Sequence, residues 1–474
     1  MIVLLILNVV LMAIVIVEEH KNIKSVFLWG LFVLVFGLVG FVIYVIFGNR
    51  LKFRAKNLLL EKQIDTKSYI RYCKWFKSYS QDNTNKFGKS QKELVDYIER
   101  KFKMDLWHNN RVKYYFEGES YFKDLIVDLK NAQKNILIEF YIFADDLCGN
   151  TISSILRQKA KDGVEVKIIY DAVGSRKTKM RFWKNLEDVG VRVVQFFPPV
   201  LKLSFLNFKL NYRNHRKIIV IDGYTSYIGG INLRDDHMNK DKKLKPWRDT
   251  SVKIQGCASY AVTDVFLNDF TFASREDFDL SVIDNYFPKI EKNGNVNLQI
   301  IDGGVENSLP IILNIYLKVI KESKRYLYIQ SPYFIVEDDV LSQIINAKRR
   351  GVDVKIIIPK KPDKKVVYSA TLKCIKKLLE SGVEIYLYKG FIHSKTLINE
   401  NVLSVGSCNF DNRSFFLNFE ITSLNYNCDN IMEQKKVFFD DLKNSVLLTS
   451  KLYKRIYNKF RLPYIIYKLI YKVL

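Results

Sequence analysis

The strongest constraint on the fold is a supersecondary phrase that occurs twice in the chain. GVEVKIIYD (163–171) and GVDVKIIIP (351–359) are nearly identical. In the first copy the apolar, β-rich run NILIEFYIF (135–143) leads into TISSILRQKAKDG (151–163), which has helical periodicity and a glycine stop. In the second, RYLYIQSPYFI (325–335) leads into VLSQIINAKRRG (340–351). A further echo follows each: GVRVVQFF (190–197) and GVEIYLYK (382–389). Strand, helix, strand is the βαβ signature and implies a mostly parallel sheet covered by helices. Two copies mean a duplicated domain, since a solenoid needs at least three units. The expected fold is therefore α/β: two mixed, mostly parallel sheets with flanking helices, related by a pseudo-twofold. The first repeat is expected over 106–290 and the second over 291–474. The active site of such a duplicated unit is expected between the copies, each supplying half.

The N-terminus decides the compartment. Residues 26–48 carry no charged side chain. A helix of that length is about 35 Å long, against a hydrocarbon layer of about 30 Å. Residues 1–17 are equally apolar but near the short limit for a span. Arg50, Lys52, Arg54 and Lys56 follow the second segment, and the positive-inside rule puts them in the cytoplasm. A transmembrane hairpin over 1–56 follows, with helices at about 1–17 and 26–48, both ends inside, and the catalytic part on the cytoplasmic side. The rival for 1–17 is a cleaved signal peptide, but it lacks a basic n-region and a small-residue cleavage site. The rival for 26–48 is a buried soluble helix. Residues 57–105 are polar and lysine-rich and read as a juxtamembrane linker.

The formal net charge is +25, which would attract nucleic acid, phosphorylated metabolites or an acidic membrane face and cannot choose among them. The six cysteines show no CxxC pair and no zinc spacing, so they read as reduced thiols. The C-terminal segment, 451–474, has basic residues, no acidic ones, and regularly placed Tyr, Ile and Leu. It reads as an interfacial segment broken at Pro463; the alternative is a docked helix with a basic face in water.

The chemistry lies in two of the five histidines. HRKIIVIDGYTSYIGGIN (215–232) supplies His215, Lys217, Asp222, Gly229, Gly230 and Asn232. HSKTLINENVLSVGSCN (393–409) supplies His393, Lys395, Gly406, Ser407 and Asn409. A single HxK is weak evidence, but two at equivalent places in a repeat, each followed by a Gly-rich turn and Asn, are specific. On a strand, HxK puts imidazole and ammonium on one face. Two such pairs meeting across the repeat interface suit a tetrahedral phosphate, with lysines and Asn amides on its non-bridging oxygens. One neutral histidine attacks phosphorus; the other, protonated, gives its proton to the leaving alcohol. No metal is required, and no carboxylate cluster fit to hold one is visible. Acids should orient the histidines. Asp249 in PWRDT and Glu420 in FFLNFE stand at similar distances beyond each motif, although both could be ordinary strand-end carboxylates.

Paired HxKxxxxD motifs with a GGxN or GSxN turn resemble the phospholipase D superfamily. The phrases NNRVKYYFEG, IEFYIFADD, YDAVGSRK, NHRKIIVIDG, IGGINL, PWRDT, QSPYFIVEDD and NFDNRSFFLNFE are similar to bacterial cardiolipin synthases over almost the whole chain. The resemblance implies that two phosphatidylglycerols become cardiolipin and glycerol through a phosphatidyl-histidine, with no cofactor and with anionic membrane lipids as partners. It implies His215 as nucleophile and His393 as acid, then base. Lys217, Lys395, Asn232, Asn409 and Ser407 would hold the phosphate, Asp249 and Glu420 would orient the histidines, and Asp222 would tie the motif loop. Two departures stand out. Gly230 replaces a Ser common among relatives. In the second motif the Asp is missing: either Glu400 fills its role in a turn one residue tighter, or Asn399 takes its place. Activity is expected to survive both. The rivals are a lipid-hydrolysing phospholipase D, a nuclease of the same superfamily, which the hairpin disfavours, and an inactive basic membrane scaffold. No nucleic acid partner is expected.

Overall fold

The duplication visible in the sequence becomes one continuous sheet. The computed structural model describes residues 2–19, 23–47, 87–197, 212–241, 243–290, 294–305, 307 and 309–460. The first repeat contributes Leu106–Tyr115 (β1), Asn135–Phe140 (β2), Glu165–Asp171 (β3), Arg192–Phe196 (β4), Arg213–Asn214 (β5), Lys217–Ile221 (β6), Thr225–Gly229 (β7), Trp247–Arg248 (β8) and Ser251–Gln255 (β9). The second contributes Val296–Gly303 (β10), Tyr326–Gln330 (β11), Phe334–Ile335 (β12), Asp353–Pro359 (β13), Glu384–Tyr388 (β14), Phe391–Ile392 (β15), Thr396–Asn399 (β16), Leu403–Gly406 (β17), Phe410–Asp411 (β18), Asn418–Asn425 (β19) and Ser445–Leu447 (β20).

Spatial order shows the symmetry directly. From one edge inward it runs β4-β3-β2-β6-β7-β9-β1, and from the other β14-β13-β11-β16-β17-β19-β10, with β20 added outside β14. The halves join where β1 pairs antiparallel with β10, Leu106 opposite Gln299. Along this path only β2-β3-β4 and β11-β13-β14 are parallel; apart from it, three two-residue bridges, β5 with β19, β8 with β15 and β12 with β18, are parallel too. The other pairings along the path within each half are antiparallel. The sheets are mixed as expected, but not mostly parallel, and they merge into one. The cause is local: β6 and β7 form a hairpin closed at Asp222 and Gly223, both with positive φ (54° and 64°), a turn that Asp and Gly tolerate.

Helices Gly118–Asn131, Leu147–Lys161 and Met180–Glu187 cover one face of the first repeat. Helices Ile311–Glu322, Asp338–Arg349 and Lys365–Glu380 do so in the second. A further core draws on both repeats, with Ile218, Val252 and Phe266 from the first and Ile398, Val405, Ile421 and Phe438 from the second. Cys148, Cys257, Cys374, Cys408 and Cys428 are free.

Three expectations change here. Within the segment read as a linker, Lys89–Phe102 is an amphipathic helix that buries Leu94, Val95 and Ile98 against the second repeat. Its Gln91 Nε2 donates to Asn401 O at 2.8 Å and Tyr426 O at 3.0 Å. At the C-terminus, Ser450–Lys459 is a docked helix, with Tyr453 buried and its hydroxyl donating to Leu372 O at 3.1 Å; Lys451, Lys454, Arg455 and Lys459 face outward. The remainder of that segment, including Pro463, lies outside the described residues. At the N-terminus, Ile2–Glu19 and Ile23–Phe47 are apolar helices that pack together through Leu11, Val15, Val33 and Tyr44. Among the described residues, however, no helix is long and apolar enough to cross a membrane. Ile2–Glu19 is about 27 Å long, and Ile23–Phe47 is interrupted at Gly37, whose backbone is non-helical (φ 56°, ψ −131°). The expected pair of uninterrupted spans is therefore not observed.

Candidate active site

Two short parallel bridges build the site. β5 lies beside the start of β19, Arg213 opposite Asn418 and Asn214 opposite Phe419. One residue further on, His215 therefore stands beside Glu420. β15 lies beside β8, Phe391 opposite Trp247 and Ile392 opposite Arg248, which brings His393 beside Asp249. The main chain locks both steps: His215 N donates to Phe419 O at 2.9 Å, and His393 N to Arg248 O at 2.6 Å.

Each histidine is consequently held by the other repeat. His215 Nδ1 is 3.0 Å from both oxygens of Glu420. His393 Nδ1 is 2.7 Å from Asp249 Oδ2. A carboxylate at Nδ1 favours the tautomer with the proton on that nitrogen and leaves Nε2 of each neutral ring unprotonated. Lys217 and Lys395 follow two residues later on the same faces. Lys217 Nζ donates to His215 O at 2.6 Å and lies 5.5 Å from the centre of the Tyr141 ring; Lys395 Nζ stands 3.0 Å from His393 Nδ1.

The charges of the two repeats act on one another. Burial pushes His215 down to about 4, aided by Lys217 and Lys395 and opposed by Glu420. Burial pushes Lys217 down to about 7 and Lys395 to about 8. His393 is pushed well below its usual value by burial and then by Lys395. Burial works against ionisation of Asp249 and Glu420, yet the neighbouring histidines and lysines hold both carboxyls below the usual range. Two imidazoles and two ammonium groups thus share one buried volume with two carboxylates. With both imidazoles neutral the two lysines balance the two carboxylates, and an entering phosphate anion raises the affinity of the rings for a proton.

The other anticipated residues divide. Asp222 Oδ1 accepts from Lys134 N at 2.7 Å and Asn135 N at 3.0 Å, and its Oδ2 from Gln133 N at 2.9 Å, just before β2. Glu400 does the same before β11, accepting from Lys324 N at 2.8 Å and Arg325 N at 3.3 Å. Asn399 instead caps its own turn, taking Asn401 N and Val402 N at 2.9 Å. Asp222 and Glu400 thus occupy equivalent places, staple the motif hairpin to the neighbouring strand, and are placed away from the histidines. Ser407, expected on the phosphate, is fully buried and donates to Glu420 Oε2 at 2.5 Å. Asn232 and Asn409 are both buried. Gly230 occupies Ser407's place in the first repeat, and a Cβ there would lie 2.0 Å from Asp249 Oδ1.

Sequence reasoning missed the aromatic walls. Tyr141 meets His215 edge-on, ring centres 5.0 Å apart, and Trp247 lies 5.5 Å from His393. It also passed over His237, which sits outside any HxK pair; its ring centre is 5.3 Å from that of His393. Donor atoms of His237, Asp249 and His393 all lie within 4.8 Å of one another, close enough to share a metal ion. Lys395, 3.0 Å from one of those donors, sets a positive charge against a cation there.

A sequence profile described as "Cardiolipin synthase, PLD-like domain" matches residues 125–244 and 316–442, once in each repeat. The cardiolipin synthase of Listeria welshimeri is 37% identical, over 96% of this chain and 95% of its own. The major cardiolipin synthase of Bacillus subtilis is 36% identical, over 94% and 93%. The chain belongs to the cardiolipin synthase family. With its duplicated phospholipase D-like domain it is a phospholipid phosphatidyltransferase. Among solved structures, the phosphatidylserine synthase of Haemophilus influenzae shares the fold, with a TM-score of 0.59 over 81% of this chain and all of that one at 15% identity. Cardiolipin synthases are thus the relatives on sequence, and the fold extends beyond them.

Proposed function

We propose that the chain joins two phosphatidylglycerols into cardiolipin and free glycerol, with His215 as nucleophile. The observation that carries this reading is the crossed pairing of His215 with Glu420 and His393 with Asp249, which leaves two Nε2 atoms free to act on one phosphodiester. Lys217 and Lys395 hold its non-bridging oxygens, and charge developing there is met by groups already in place. His215 Nε2 attacks phosphorus. The bond to glycerol breaks, and the leaving oxygen takes the proton from Nε2 of His393, whose protonated form the negative charge of the bound phosphodiester favours. The phosphatidyl group now sits on His215, whose positive ring is stabilised by Glu420. His393, neutral, takes the proton of the hydroxyl on a second phosphatidylglycerol. That oxygen attacks phosphorus, and His215 is released.

The N-terminal helices are read as the membrane anchor. Phe27, Leu31, Leu34, Val35, Phe36, Leu38 and Val39 are all more than half exposed on the second helix, apolar surface that lipid would cover. The basic residues at 50–56 and the outward lysines of the docked C-terminal helix match an anionic cytoplasmic leaflet. The catalytic body is then cytoplasmic and the chain multi-pass, with anionic lipids as substrates and surroundings.

Full-length protein in phosphatidylglycerol vesicles with chelator present tests the reading, beside a His215→Asn control. Mass spectrometry should find cardiolipin and glycerol in equal amounts, and none from the control. Phosphatidic acid as the main product would establish a hydrolase instead.

A further inference from the structure

The two carboxylates that hold the histidines are not furnished alike. Beside Glu420 stands the Ser407 hydroxyl, which donates to Oε2, and Asn418 Nδ2, 3.2 Å from Oε1. At Asp249 the equivalent of Ser407 is Gly230, where the carboxylate leaves no room for even a Cβ. His237 is there instead. Counted from Asn232 and Asn409, its equivalent in the second repeat is Ser414, so this histidine breaks the pseudo-symmetry of the site.

The hydrogen bonds around His237 fix its tautomer. Ile142 N donates to Asn232 Oδ1 at 3.2 Å, which sets the orientation of that amide. Asn232 Nδ2 therefore faces His237 Nε2, 3.3 Å away, as a donor. Nε2 must accept, so a neutral His237 carries its proton on Nδ1. That nitrogen is 3.3 Å from Asp249 Oδ2, the same oxygen that His393 Nδ1 approaches to 2.7 Å. The approach is long and off the hydrogen-bond axis, and Nδ1 has no other acceptor. The ring is buried against Trp247, centres 4.6 Å apart.

We infer that His237 is a positioning residue that shares the Asp249 carboxylate with His393, in the place a serine hydroxyl takes beside Glu420. It acts through Asp249 and touches no reacting atom. By drawing on the same oxygen it holds the Asp249 carboxylate in line with His393 Nδ1 and moderates the negative charge that ring meets, which sets the pH range over which His393 carries the proton it gives to the leaving glycerol. The groups that face His393 are Lys395, Asp249 and His237; those that face His237 are Asp249, Lys395 and Asp236. Without His237 the full carboxylate charge falls on the His393 imidazolium, so that ring should hold its proton to higher pH. Asn232, through its one donated proton, ties this arrangement to the phosphate site; a primary amide has a second proton for the substrate. The inference rests on the transferase reading given above.

The test is the pH profile of cardiolipin formation from phosphatidylglycerol vesicles for wild type, His237→Leu, His237→Ser and His237→Asn. Leu and Ser place no N–H at the carboxylate; Asn puts an amide N–H where Nδ1 stands. Leu and Ser should lower kcat about tenfold with KM little changed, and move the alkaline limb up by about half a pH unit, a pattern of transition-state loss. Asn should restore most of both. Limbs that coincide in all folded variants would overturn the inference. A measurement on the intact protein stands beside this, independent of variant folding: 15N spectra of the histidines should show His237 protonated on Nδ1, and an Nε2-protonated ring would equally overturn it. A wild type that makes no cardiolipin would instead remove the transferase reading.

Discussion

Glu420→Gln isolates the crossed pairing without changing shape. In the resting site His215 is neutral, held down to about 4 by burial and the lysines, so Glu420 then gains little from charge. Once Nε2 bonds phosphorus the ring is positive, with Nδ1 about 3 Å from both carboxylate oxygens. At that distance and an effective dielectric of about 20, the attraction is about 5 kcal/mol. An amide oxygen keeps a neutral hydrogen bond of about 1 kcal/mol. The remaining ~4 kcal/mol is specific to the transition state and intermediate, so kcat should fall about 10³-fold with KM nearly unchanged. Asp249→Asn should cost a similar amount through His393. The two separate on a phosphatidyl ester of a good leaving group such as nitrophenol, which needs no general acid. Nitrophenol release should be restored in Asp249→Asn and stay slow in Glu420→Gln. The opposite pattern would exchange the roles of the two histidines. Losses below about threefold in both would mean that catalysis does not use the crossed pairs at all.

The staple carboxylates should behave differently: Glu400→Ala and Asp222→Ala leave backbone N–H groups without acceptors, costing about 1–3 kcal/mol in thermal unfolding, while kcat of the folded protein stays within about twofold. Stability should also depend on pH in a defined window. His215 binds its proton more weakly folded than unfolded, so the unfolded chain takes up more protons as pH falls from about 6.5 to about 4, and denaturant unfolding should show a progressive loss that reaches about 3 kcal/mol from this group alone. Stability flat across that window would mean that the buried ring is already charged. Deleting residues 1–47 should abolish turnover of vesicle lipid while leaving turnover of a short-chain, water-soluble phosphatidylglycerol within about threefold; equal loss on both substrates would tie the helices to the catalytic fold instead of the membrane.

What could be read from the sequence was what recurs. The pair GVEVKIIYD and GVDVKIIIP marked β3 and β13, and the two HxK strings marked β6 and β16, because period-two side chains and turn glycines are local signals. Sheet direction was harder. The apolar runs that read as parallel strands are parallel only in β2-β3-β4 and β11-β13-β14; the hairpin at Asp222 and Gly223 and its counterpart between β16 and β17 add antiparallel pairs to each half. Glu400 and Asn399 could not be told apart because both can bind N–H groups, and only the turn geometry assigns the loop before β11 to Glu400. Gly37 looks like any other small residue in an apolar run, but its backbone departs from helix. His237 carries no motif; its place depends on a carboxylate that arrives from the strand after it.

The choice of partner for each histidine was likewise invisible, and it has the largest consequence. His215 and Glu420 are brought together by β5 and β19, His393 and Asp249 by β15 and β8, each bridge only two residues long. A slip of one residue would turn the carboxylate to the opposite face of its strand. In the proposed mechanism register is therefore part of the catalytic apparatus, and it is set from far away: β19 is held by β10 and β17, and β10 is held by β1 across the repeat boundary. Neither repeat contains the carboxylate that orients its own histidine. A repeat that folded alone would present an imidazole, an ammonium group and no means of fixing the tautomer. In the proposed mechanism the crossed arrangement makes activity conditional on both repeats being docked in one register, as they are in the single sixteen-stranded sheet.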